Sequence, residues 1–107
     1  MKDHDESYYE FKEIKENPII IDFSSCRPEE IHTMLKEKFG FPEYYGENWS
    51  AFDDCMLGRF WNKGEYKVKI YGYHSLDKEL QDYCKPILEI LDDVHEESPN
   101  LTFEIVS

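Results

Sequence analysis

Between Gly40 and Gly58 the chain has neither lysine nor arginine. The shortage is general: 12 basic residues face 24 acidic ones, and the net charge is −12. Contact with phosphates needs a basic surface, so nucleic acid is not an expected partner. A surface of one sign speeds encounter with a partner of the other, although acidity also serves solubility alone. No apolar run reaches membrane-spanning length. The start, Met1-Lys2-Asp3-His4-Asp5-Glu6-Ser7, has none of the pattern of a signal peptide. A soluble, cytoplasmic protein is the expectation.

Cysteine is scarce and odd in number: Cys26, Cys55 and Cys84, widely spaced. That speaks against a disulfide framework and a CxxC metal site, and for reduced, mostly buried thiols. Catalytic groupings are missing too. His4, His32, His74 and His95 form no HxxxH or HxH pair, and no glycine-rich phosphate loop occurs. A nucleophilic cysteine needs a histidine base. Cys84 has no histidine beside it in sequence, and Cys55 falls on an apolar helix side. A binding protein without cofactor or metal is expected rather than an enzyme. The rival enzymatic reading is a Mg²⁺-dependent hydrolase using Asp53, Asp54 and Asp93 as a carboxylate cluster.

The 107 residues suit one domain. Residues 1–18 read as an acidic N-terminal extension, at best partly ordered, in which Tyr8, Phe11 and Ile14 could form an amphipathic turn. Residues 19–107 read as the folded domain. A β-branched run at 19–23 predicts a strand covered on both faces. Pro28, Glu29 and Glu30 suit the start of a helix that carries Ile31, Met34, Leu35 and Phe39 and ends at Gly40. Val68 and Ile70 alternate with Lys67 and Lys69 in a strand over 66–71 that Gly72 closes, after Phe60, Trp61 and a turn at Asn62-Lys63-Gly64. A short helix from His74 or Ser75 carries Leu76 and Leu80. Asp82 then caps a further helix with Pro86 in its first turn, because an interior proline would break the ladder. Ile87, Leu88, Ile90, Leu91 and Val94 are its apolar stripe, and Glu89, Asp92, Asp93, Glu96 and Glu97 its acidic side. A last strand spans 101–106. Strands separated by helices mean crossovers, hence an α/β fold: a three-stranded parallel sheet, order 1-2-3, with helices packed mostly on one face.

The stretch 41–58 organises the rest. Asn48 is a good N-cap for a helix over 49–57, and Gly58 a plausible stop. At 100° per residue Phe52, Cys55 and Met56 share one side, with Trp49 at its margin. Ser50, Asp53, Asp54 and Leu57 share the other, flanked by Tyr44, Tyr45 and Gly46; Tyr45, Leu57 and Gly58 are candidate partner contacts together with this face. One tyrosine should be buried and one exposed, and Gly46 should mark a backbone with positive φ.

The run Pro42-Glu43-Tyr44-Tyr45-Gly46-Glu47-Asn48, followed by Ala51 and Asp54-Cys55, resembles the signature of the barstar family, small intracellular inhibitors of secreted microbial ribonucleases. The resemblance extends over 19–107, and the order of elements agrees. It implies stoichiometric inhibition of a basic, extracellular-type ribonuclease by a protein that is monomeric when free. In such inhibitors loop and helix plug the enzyme's active site, with a helix aspartate where a substrate phosphate would sit. Asp54 matches that aspartate and Tyr44 the aromatic that covers the catalytic histidine. Gly46 and Asn48 match loop contacts, and Asp93 matches an acid on the last helix that meets a basic rim. Ser50 replaces a second helix carboxylate, Asp53 a contact tryptophan, and Arg59 a tryptophan beyond Gly58. The altered neighbours leave an alternative: an immunity protein or adaptor for a different basic toxin.

Overall fold

The computed structural model describes residues 10–60 and 64–106, the side chains of Arg59 and Phe60 excepted. Tyr8, Trp61 and the Asn62-Lys63 part of the expected turn lie outside the described residues. Three parallel strands, β1 (Ile19–Asp22), β2 (Tyr66–Tyr71) and β3 (Leu101–Val106), form one sheet in the order β1-β2-β3. The helices are α1 (Ile31–Phe39), α2 (Trp49–Phe60) and α3 (Lys78–Glu97), with short 3₁₀ turns at Phe23–Ser25, Pro28–Glu30 and Tyr73–Ser75.

Register explains which sheet face is covered. Ile19 pairs with Val68 and Ile21 with Ile70, and parallel partners point the same way. These four side chains are completely buried. Ile31, Leu35 and Phe39 of α1, Phe52, Cys55 and Met56 of α2, and Cys84, Ile87, Leu91 and Val94 of α3 close over them. Full burial of each large aliphatic or aromatic side chain contributes about 1.5–3 kcal/mol. The opposite face carries Lys67, Lys69, Thr102 and Glu104, and Lys67 Nζ pairs with Glu104 at 3.3 Å. β1 is therefore not covered on both faces, since Ile20 is only half-buried. It also stops one residue short of expectation. The Asp22 carboxylate takes the Ser24 N–H (3.0 Å) and hydroxyl (2.6 Å), which turns Phe23 into a 3₁₀ helix.

Two helix boundaries differ from the sequence reading. α2 does not stop at Gly58 but continues to Phe60. A Cβ at Gly58 would sit 3.3 Å from the Phe11 ring, so close approach rather than helix termination accounts for the glycine. The two helices expected after β2 are one. Asp77, not Asp82, is the cap, accepting the Leu80 N–H at 2.9 Å. Pro86 lies well inside α3. Its missing N–H orphans the Asp82 carbonyl on an exposed side of the helix, where water can reach it. Burial of Cys84 and Ile87 on both flanks of the proline offsets the lost bond.

The described part of the N-terminal stretch lies against the domain. Phe11 and Ile14 pack on the core, and Glu16 accepts both the Ile20 N–H (3.0 Å) and Lys38 Nζ (2.9 Å). The three thiols are free, Cys55 and Cys84 buried and Cys26 half-buried. Burial pushes the Cys84 thiol up to about 11. Among the described residues no helix is long and apolar enough to cross a membrane.

Candidate protein-binding face

α1 ends at Gly40, which is left-handed (φ 67°). Its N–H and that of Phe41 both turn back to the Lys36 carbonyl, a C-terminal cap that only glycine adopts without strain. The chain then crosses to α2 through residues 41–48. Phe41, Pro42 and Tyr45 point inward, while Glu43, Tyr44, Gly46, Glu47 and Asn48 face solvent. The buried aromatic rings interlock. Phe41 lies 4.9 Å from Tyr45, 5.7 Å from Phe39 and 5.8 Å from Phe52, centroid to centroid. Offset and edge-on pairs at such spacings add to the burial of the rings.

Tyr45 is thus buried as a support beneath the loop. Its hydroxyl lies 2.7 Å from His32 Nδ1, and His32 Nε2 is 3.1 Å from the Tyr83 hydroxyl. The His32 ring also rests 4.5 Å from Trp49. Burial depresses the affinity of His32 for a proton, and Glu47 partly restores it. His32 and Tyr83 went unassigned in the sequence reading. Nothing in local spacing links them to Tyr45, because each comes from a different helix.

Gly46 does not have positive φ. The left-handed residue is its neighbour, Glu47 (φ 57°). Asn48 caps α2 as expected: its Oδ1 accepts the Ala51 N–H at 2.8 Å, and its Nδ2 donates to the Gly46 carbonyl at 3.3 Å. Cap and loop are therefore joined by one side chain.

The outward side of α2 carries Ser50, Asp53, Asp54, Leu57 and Gly58. Ser50, Asp54 and Gly58 are exposed, Leu57 keeps 37% of its surface and Tyr44 43%. The Arg59 side chain lies outside the described residues. Asp53 is half-buried, and three causes raise its carboxyl above the usual aspartate range: burial first, then the charges of Asp54 and Asp93. That coupling places Asp93, on α3, in the electrostatic field of α2. Tyr44 also feels Asp54, although burial is the larger reason its phenol is held above the ordinary range. Among the described residues no lysine or arginine forms an ion pair with Asp53, Asp54 or Asp93. Glu43 differs, lying between Lys36 Nζ (2.9 Å) and Lys12 Nζ (3.3 Å), which hold its carboxyl below the usual range. Asp53, Asp54 and Asp93, with Tyr44 beside Asp54, thus form one acidic and aromatic surface whose three aspartates have no ion-pair partner among the described residues.

A groove of about 660 Å³ among the described residues lies elsewhere and shares no residue with this surface. That groove runs between Lys12–Glu16 and α1, and its Lys12, Lys36 and Lys38 are already paired with Glu43 or Glu16. Among the described residues no group of three or more His, Cys, Asp or Glu is disposed to hold a metal ion. An exposed acidic face of this kind can meet a row of cations on a protein.

A family model described as Barstar (barnase inhibitor) matches residues 17–106. Over 69 residues the chain is 32% identical to a Bacillus subtilis (strain 168) protein named "Putative ribonuclease inhibitor YrdF". The matched stretch covers 64% of this chain and 74% of that relative.

Proposed function

The chain belongs to the barstar family, and from that premise we propose that it is a stoichiometric inhibitor of a basic ribonuclease. It acts as a monomer in the cytoplasm of the cell that makes it, and it is not an enzyme. Inhibition is carried by the domain from residue 19 onward, to which the acidic stretch before it is an extension. The observation that supports this reading is the surface of Tyr44, Asp53, Asp54 and Asp93, where described carboxylates lack cationic partners of their own.

The mechanism is substrate mimicry. A ribonuclease holds phosphates with arginine and lysine. Asp54 occupies the place of one phosphate and pairs with those cations, a charge-assisted contact about twice as strong as a neutral hydrogen bond. Tyr44 lies over the catalytic histidine, and the Gly46 and Asn48 backbone closes the cleft. Asp93 meets the basic rim. Ser50, Leu57, Gly58 and Arg59 complete the contact around the anionic core. The rigid aromatic support under the loop lowers the ordering cost of binding.

A second reading keeps the surface and changes the partner. Asp53 adds a carboxylate coupled to both Asp54 and Asp93, so the face suits an enzyme or toxin with an extended cationic groove. Titration of the full chain into active barnase tests the first reading. One-to-one loss of activity is expected. Absence of any inhibition at micromolar protein transfers the case to the second.

A further inference from the structure

We infer that residues 10–17 act as a positioning strap that holds both ends of the loop–helix unit in its binding geometry. The inference deepens the proposed inhibitory role, since what the strap positions is the surface assigned to it.

Phe11 and Lys12, adjacent in sequence, grip opposite ends of the unit. At the entry, the Lys12 N–H donates to the Gly40 carbonyl at 2.8 Å. A Cβ at Gly40 would lie 2.3 Å from the Lys12 carbonyl oxygen. The strap thus crosses over α1's cap so closely that only glycine leaves room for it. Lys12 Nζ then reaches Glu43, whose other oxygen is held by Lys36 of α1. Glu43 immediately precedes Tyr44, so the bridge tethers the residue from which the exposed aromatic departs. At the exit, the Phe11 ring lies against Gly58 in the last turns of α2.

The strap has its own anchorage beyond these contacts. Glu16 binds Ile20 and Lys38, and Asn17 accepts the Lys67 N–H (3.1 Å) while donating to the Glu65 carbonyl (3.0 Å). It is therefore fastened to β1, α1 and the start of β2, and it transmits that fixity to the loop. Any one exposed ion pair here is weak. Together with a main-chain bond and a packed ring, the pair limits the arrangements the loop can adopt before a partner arrives. Fewer arrangements mean less ordering to be done on binding and a slower escape afterward.

The test uses the full chain carrying Phe11→Ala and Lys12→Met together, with amide hydrogen exchange as the first measurement. Amides of Phe41, Tyr45, Ala51 and Phe52 should exchange about tenfold faster, while those of Val68, Ile70 and Leu91 change by less than about twofold. Lys12→Arg, which keeps the bridge to Glu43, should restore the protection lost in Lys12→Met. With barnase as the probe, the double variant should dissociate about tenfold faster at an unchanged association rate. Unaltered exchange, or a uniform rise across β2 and α3, overturns the strap. So does local loosening that leaves barnase dissociation as it was. If the unmodified chain does not bind barnase at all, the inhibitory reading fails, and the exchange data still judge the strap.

Discussion

The hydroxyl of Tyr45 lies 2.7 Å from Nδ1 of His32, and this contact separates two neighbouring tyrosines into different roles. With its hydroxyl satisfied inside, Tyr45 stays buried as the loop's foundation. Tyr44, one residue earlier, is turned outward beside Asp54.

Burial of the same imidazole should make stability depend on pH. A neutral imidazole has one donor and one acceptor nitrogen, so one of Tyr45 and Tyr83 donates to it and the other accepts. Protonation makes both nitrogens donors and forces one hydroxyl to turn. Burial lowers the folded-state pKa of His32, so the unfolded chain takes up its proton first, near pH 6.5. The His32 contribution is therefore present above about pH 6.5 and is lost as pH falls through the lower, folded value. Urea midpoints at pH 7.5 and 5.5 should differ in the parent protein, and His32→Gln should shrink the difference. An equal difference in both would remove His32 from this role.

Asp54→Ala should weaken inhibition of the target ribonuclease by about 2–5 kcal/mol, the general range when one partner of a buried charge pair is truncated. Thermal stability should stay within about 0.5 kcal/mol of the parent, as for surface changes elsewhere. Tyr44→Ala should also weaken inhibition with the fold intact. Competition titrations measure both, and two neutral results would displace the binding face from Tyr44 and Asp54.

Asp53 is expected to trade stability for binding. Its carboxyl is raised by burial, Asp54 and Asp93, so the ionised form is disfavoured in the free fold. A raised acid stabilises the fold below its unfolded pKa and loses that contribution as pH rises through the folded value. Asp53→Asn should therefore raise neutral-pH stability, by roughly 0.5 kcal/mol for like charges on a helix surface. It should also lower the association rate with a basic ribonuclease and flatten its salt dependence. Stopped-flow association at two ionic strengths, beside a melting curve, gives both quantities.

Two glycines should respond unequally to alanine. Gly46→Ala adds a Cβ at ordinary contact distance, 3.4 Å from Ala51 Cβ, on a backbone that is not left-handed. It should leave stability nearly unchanged. Gly40→Ala combines left-handed φ with a Cβ 2.3 Å from the Lys12 carbonyl. It should cost at least about 1 kcal/mol from the backbone alone. Denaturant melts of the pair settle the contrast, and equal losses would contradict it.

Much of the architecture was readable without coordinates. The 66–71 strand, the 101–106 strand, the sheet order and the Phe52-Cys55-Met56 stripe appear where period and flanking turns placed them. Pro86 was harder. Its interior position rests on apolar burial on both sides of one lost hydrogen bond, and a rule about proline alone weighs only the loss. Gly46 misled for a related reason. Glycine permits positive φ, but the loop's turn falls on Glu47.

By itself the sequence determined what neighbours along the chain control: helix and strand periods, the Asn48 cap, the acidic outer side of α2, and a loop motif distinctive enough to indicate the family. Tertiary structure alone decided that Asp93 joins Asp53, that Tyr45 and not Tyr44 goes inward, and that Phe11 and Lys12 clasp the ends of 40–58. Those contacts join residues far apart in the chain. Their free energy is realised only when the core has closed, and no local pattern carries a trace of it.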